Sequence, residues 1–246
     1  MSSTLTVFGR RAEYRTLARC LARAFLLAAA VFVLWPGMDL AVSRWFYVPG
    51  DGFPFDRDPI FAAFRWWFWR LSEAMVVIAL AGLALPWVRR RWPEVGARHW
   101  GFVLLLYAFG PGLIVNGLLK SYWGRARPLH VADFGGQAAF TPPLEIAHEC
   151  ASNCSFVSGE AAGAVAFALS LVFLAERIRL RLPTLAERGL IALALAVGLA
   201  GPALRVAVGR HFLSDVVFAA LIVFAVALAL HWLLFGRMAD SARAPR

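Results

Sequence analysis

The chain has 246 residues, of which 61% are hydrophobic and only 16% charged, with a mean hydropathy of +0.66. Soluble domains carry about 25% charged residues and cannot hide this much apolar surface, so the composition excludes a soluble protein and implies an integral membrane one. The formal charge of +10 would point a soluble chain toward nucleic acid; here the arginines flank apolar segments, where they anchor topology, and no nucleic-acid partner is expected.

Six apolar runs are long enough to span a bilayer, at about 18–36, 73–88, 100–119, 157–175, 189–204 and 212–235. They predict an all-α integral membrane protein: one six-helix bundle over residues 1–246, without a separate soluble domain. The first run is preceded by Arg10, Arg11 and Arg15 and followed by Ala41-Val42-Ser43, which resembles a signal-peptide cleavage site. Its long basic prelude, and the five spans that cleavage would leave, argue for a retained span. Phe64-Arg-Trp-Trp-Phe-Trp-Arg70, before the second run, reads either as an amphipathic helix in the headgroup layer, walling a lipid's access, or as an aromatic belt. The third run ends at Lys120, the sole lysine of the chain, seven residues before Arg127-Pro128. In the loop beyond, Cys150 and Cys154 lack the companions of a zinc site; they are either a local disulfide, if the loop faces an oxidising compartment, or two free thiols. The fourth run opens with Ser158-Gly159-Glu160, and its Gly159…Gly163 pair would permit close helix packing. Arg205 closes the fifth run, and His211 and Asp215 open the sixth.

Basic residues in alternate flanks set the orientation. The N-terminus (Arg10, Arg11, Arg15, Arg19, Arg23), the second and fourth loops and the C-terminus (Arg237, Arg243, Arg246) hold sixteen, against nine on the opposite side. Both termini are therefore expected in the cytoplasm, and Lys120, Arg127, Ser158, Arg205, His211 and Asp215 all on the other face.

Those residue types suit phosphoryl chemistry. Lys120, Arg127 and Arg205 would neutralise phosphate oxygens, arginine with a planar fork and lysine with a point charge. The hydroxyl of Ser158 and the free N–H groups at Gly159 would form an anion site at a helix N-terminus, unless Ser158 is an ordinary N-cap. Four residues apart on a helix, Asp215 and His211 share a face, so the carboxylate can fix the tautomer and leave the other ring nitrogen as nucleophile. His211 would attack phosphorus, and water would release the phosphohistidine. Three fixed cations supply the charge, so no metal or other cofactor is required.

The pattern resembles the type 2 phosphatidic acid phosphatase superfamily, six-span lipid phosphatases with motifs K-x6-R-P, P-S-G-H and S-R-x5-H-x3-D. Lys120 through Pro128 complete the first; Arg205, His211 and Asp215 carry the third, with Leu204 in place of serine. The second departs, reading Val157-Ser158-Gly159-Glu160. The missing histidine is, by the resemblance, the acid that protonates the leaving oxygen; Glu160 takes its position, and His130 and His148 are alternatives. A Ser-Gly-Glu version preceded by cysteine is similar to bacterial lipid A phosphatases of this superfamily. That resemblance implies a lipid A phosphate as substrate and a bacterial inner membrane with the site facing the periplasm. Phosphatidic acid, phosphatidylglycerophosphate and polyprenyl pyrophosphate are the other substrates. Rival expectations are a lipid-phosphate binding or translocating protein that lost its acid, and vanadate-dependent haloperoxidase chemistry.

Overall fold

The computed structural model describes residues 11–236; Arg10, Arg237, Arg243 and Arg246 of the topology count lie outside them. Six helices are long and apolar enough to cross a membrane: Glu13–Leu34, Pro59–Ala84, Ala97–Tyr122, Gly159–Arg181, Thr184–Ala207 and Leu213–Gly236. Among the described residues β structure is limited to isolated bridges. The protein is an all-α membrane bundle.

The first span is α1 (Arg11–Leu34), followed by the short α2 (Gly37–Arg44). The second, α3 (Pro59–Ala84), begins well before the predicted 73. Asp58 Oδ1 accepts from Ile60 N–H at 2.7 Å and Pro59 occupies the first helical position, so local capping starts the helix ahead of the hydrophobic run. Phe64–Arg70 is thus part of the span, with Trp66, Trp67 and Trp69 exposed on its surface as an aromatic belt. Leu85 turns extended before Pro86, and α4 (Pro86–Arg91) follows.

The third span starts as α5 (Ala97–Tyr107), widens into a π-helical stretch over Ala108–Leu119 and closes as the single turn α6 (Lys120–Tyr122). Pro111 inside that stretch has no N–H to donate, and a locally wider helix accommodates such an interruption. Asn116 Nδ2 donates to the Pro111 carbonyl at 2.7 Å.

The fourth, fifth and sixth spans are α7 (Gly159–Ile178), α8 (Thr184–Ala207) and α9 (Leu213–His231). Alanine against glycine lets α7 and α8 approach closely: a methyl group on Gly201 would overlap Ala164, and one on Gly198 would press on Ala168. The Gly159…Gly163 pair serves other neighbours. Gly163 accepts a hydrogen bond from Ser72 Oγ of α3 at 3.3 Å, and Gly159 lies under the Asn116 side chain. Across the bundle, Phe25 and Phe32 of α1 pack on Phe218 of α9. The topology brings Leu34, Pro59, Tyr122, Gly159, Ala207 and Leu213 to one end of the bundle, since spans alternate in direction.

Candidate active site

A cavity of about 690 Å³ opens at that end. Lys120, Arg127, Gly159, Glu160, Arg205 and His211 line it, together with Arg65 and Trp69 of α3, Asn116, Asn153 and Arg210. Residues of the three sequence motifs thus meet on one chamber, with α3 closing another side.

Each is held by local structure. Arg127 is extended (φ −85°, ψ 156°), as the following proline requires, and its Nη2 donates to the Asn153 carbonyl at 2.7 Å. Asn153 sits in a tight loop closed by a Cys150–Cys154 disulfide; of the two states open from sequence, the thiols are joined. Burial pushes the Arg127 guanidinium below its ordinary range, and Arg210 adds to this. Lys120 Nζ has no hydrogen-bond or ion-pair partner among the described residues. Arg205 lies in the last turn of α8, only 5% exposed.

Four residues beyond Arg205, the chain turns back toward α9 through Gly209 at φ +65°. A side chain there would be strained and would also strike the Phe53 ring, so glycine is the residue this turn admits. The N–H groups of Arg210 and His211 both return to the Arg205 carbonyl, at 3.2 and 3.1 Å. The turn therefore ties the nucleophile candidate to the cation.

His211 is buried, and its Nδ1 lies 2.8 Å from the Ser155 carbonyl but 3.7 Å from Asp215 Oδ2. The expected direct Asp215–His211 hydrogen bond is not made, because a separation of 3.7 Å exceeds hydrogen-bond range. A carbonyl can only accept, so Nδ1 carries the proton and Nε2 keeps its lone pair. Burial lowers the imidazole pKa to about 4; Asp215 opposes the shift, and Arg205 and Lys120 add to it. The ring is neutral at neutral pH, as a nucleophile must be.

Asp215 acts one step behind. Its Oδ2 accepts from Ser155 Oγ at 2.5 Å and from Phe212 N–H at 2.8 Å, while Oδ1 accepts from Arg125 Nη1 at 2.6 Å. Arg125 is wholly buried. Its other hydrogen bonds run to Ser214 Oγ, Thr141 O and Asp39 Oδ2, each at 2.8 Å, with the Phe212 ring 4.3 Å from its guanidinium carbon. Asp39 of α2 also accepts from Ser214 N–H at 2.9 Å, anchoring the start of α9. Burial pushes the Asp39 carboxyl upward against the lowering pull of Arg125.

Sequence reasoning missed Arg125, Asp39, Ser155 and Ser214. The available signal was the pair Arg125 and Arg127, two cations of which the motif needs one.

Two further expectations change. Ser158 is fully buried, outside the chamber lining, and its Oγ accepts from Ala161 N–H at 3.3 Å. It is a helix N-cap, its hydroxyl oxygen accepting from the first turn of α7. Glu160 does line the chamber. However, its carboxylate accepts three hydrogen bonds from Arg65 at 3.0–3.1 Å and lies 3.3 Å from Arg205 Nη1. Hydrogen-bonded to the Arg65 guanidinium with that of Arg205 beside it, it stands there as an anion and not as a proton donor. His130 and His148 are exposed and do not line the chamber. Among the described residues, no three of His, Cys, Asp and Glu converge as metal ligands.

A second cavity of about 490 Å³ runs from the chamber along α3, α7 and α8 into the bundle. Phe68, Val76, Val77, Tyr107 and Ala164 line it, and Arg65, Trp69, Glu160 and Arg205 border both spaces. A polar chamber at the membrane end thus joins an apolar groove at span depth.

A profile of the PAP2 superfamily matches residues 100–239. The chain is 34% identical over 218 residues to a lipid A 4′-phosphatase of Rhizobium leguminosarum, covering 82% of this chain and 90% of that protein. It is also 34% identical over 226 residues to a lipid A 4′-phosphatase of Rhizobium etli, covering 82% of each. A lipid A 4′-phosphatase of Francisella tularensis subsp. novicida is 30% identical over 200 residues, covering 78% of this chain and 84% of that one. Among solved structures, a transmembrane PAP2-type phosphatidylglycerolphosphate phosphatase from Bacillus subtilis is 23% identical with a TM-score of 0.45, covering 94% of this chain and 97% of that one.

Proposed function

The chain belongs to the PAP2 superfamily and is a membrane phosphoric ester hydrolase acting on lipid phosphates, and from that premise we propose that it removes the 4′-phosphate of lipid A through a phosphohistidine at His211. The relatives, similar over most of their length, support the substrate. The observation that carries the mechanism is the chamber itself, where Lys120, Arg127 and Arg205 face the same space as a neutral, oriented imidazole. The apolar groove beside it suits a phosphate delivered on a lipid.

In this reading the phosphoryl group lies among the three cations, which stabilise its oxygens as the bond to the leaving oxygen loosens. The Nε2 lone pair forms the P–N bond while the P–O bond to the sugar breaks; the departing oxygen takes a proton from the water-open chamber. Ser155 holds Nδ1–H throughout, and Asp215, held by Arg125, keeps Ser155 in place. Water then attacks phosphorus from the vacated side, releasing phosphate and restoring the neutral histidine.

The single six-span domain is inserted with both termini in the cytoplasm and the chamber facing the periplasm of a bacterial inner membrane. The positive-inside count supports this, as does a disulfide on the chamber's own face, since disulfides persist in oxidising compartments.

The test is His211→Ala in purified protein given lipid A. Phosphate release is expected to vanish with the fold intact, and brief incubation of the parent protein with labelled substrate should leave an acid-labile, alkali-stable phosphoprotein. Undiminished turnover in the variant overturns the mechanism.

A further inference from the structure

Arg205 is a buried guanidinium whose Nε has no hydrogen-bond partner among the described residues. Its ion-pair partner there is Glu160, at 3.3 Å. That separation is longer than the 3.0–3.1 Å of the bonds Glu160 accepts from Arg65, so the Arg205 contact is the looser of the two. The same carboxylate has a second berth, since Arg65 holds it with three hydrogen bonds at 3.0–3.1 Å from the exposed rim of the chamber. Arg210, another cation of the wall, is already closed on Asp56 by two bonds at 2.6 and 2.7 Å.

Resting on the assignment of this chamber as the phosphate site, we propose that Glu160 is a specificity-determining residue: a resident carboxylate on Arg205 that incoming phosphate must displace onto Arg65. An anion competing for a phosphate-binding guanidinium weakens every phosphate ligand alike in intrinsic affinity. The consequence differs by source. A lipid is confined to the membrane beside the chamber, at a high effective concentration, and tolerates the competition. Free phosphate and soluble esters arrive from dilute solution and do not. The exchange thereby favours lipid-tethered phosphomonoesters and limits inhibition by released phosphate. Arg65 acts as the positioning residue, because it keeps the displaced carboxylate from returning.

The experiment measures inorganic phosphate binding by calorimetry on the detergent-solubilised protein, so turnover is not needed, for Glu160→Gln, Arg65→Ala and the double variant. Glu160→Gln is expected to bind phosphate about tenfold tighter, and its rate on dilute p-nitrophenyl phosphate relative to its rate on saturating lipid A should rise by a similar factor. Arg65→Ala should weaken phosphate binding at least about threefold in the parent, but by less than about twofold when combined with Glu160→Gln, the non-additivity expected of coupled residues. Equal or weaker phosphate binding by Glu160→Gln overturns the proposal, as does an Arg65→Ala effect of the same size in both backgrounds. Should Glu160→Gln not fold, Glu160→Ala is judged by the same criteria. Lys120→Ala distinguishes the underlying assignment: phosphate binding unchanged there means that the chamber is not the phosphate site, and the exchange falls with it.

Discussion

Replacing Arg125 with methionine tests the buried ion chain behind the nucleophile. The guanidinium satisfies Asp215 at 2.6 Å and Asp39 at 2.8 Å, and all three side chains are fully buried. A methionine fills much the same volume but leaves two carboxylates facing each other without a cation. Breaking a buried pair by removing one partner costs about 3–5 kcal/mol. For a chain of this size each kcal/mol moves the melting temperature by about 2–4 °C, so a drop of about 6–20 °C is expected. Scanning fluorimetry of the micelle-solubilised protein reads it directly. Asp39→Asn, which removes one charge and retains an acceptor, should cost about 1.5–3 kcal/mol. Combined with Arg125→Met it should cost less than the sum, because the second carboxylate then no longer needs a partner. A melting temperature for Arg125→Met within about 3 °C of the parent would refute the account of this cluster.

The pH dependence of kcat follows from His211. The imidazole is active when neutral, and burial holds its pKa at about 4; activity should therefore persist at pH 6 and be lost only as pH falls through about 4. A limb centred near the ordinary histidine value of about 6.5 contradicts this. Gly209→Ala should lower kcat/KM at least about tenfold, because a left-handed alanine costs about 1–2 kcal/mol and its methyl group displaces the Phe53 ring from the turn that sets His211; unchanged kinetics remove that turn from the site. Reduction of the Cys150–Cys154 disulfide frees Asn153, whose carbonyl holds Arg127. A rise in KM of up to about tenfold is expected, and Cys150→Ser with Cys154→Ser should reproduce it.

Much of the chamber lining was legible because phosphate chemistry restricts residue type and because motif spacing survives folding. Lys120, Arg127, Gly159, Glu160, Arg205 and His211 were all named from the chain, and all six line the chamber. The roles of Ser158 and Glu160 were not legible. A serine before a helix has the same spelling as an anion ligand and as an N-cap, and only the folded chain shows the cap. Glu160 has the residue type of an acid, but its character depends on Arg65, 95 positions away on another helix.

Span number and helical class follow from the chain itself, since an apolar run of about twenty residues has few other ways to satisfy its backbone in a bilayer. Local capping signals such as Asp58-Pro59 were equally present there, though hydropathy outweighed them in placing the start of α3. What tertiary structure alone decided is partnership. Asp39, Arg125 and Asp215 come from three distant stretches, and nothing in their spacing announces that they meet. They do so because burying each charge without the others is prohibitive, a condition that exists only once the helices have packed.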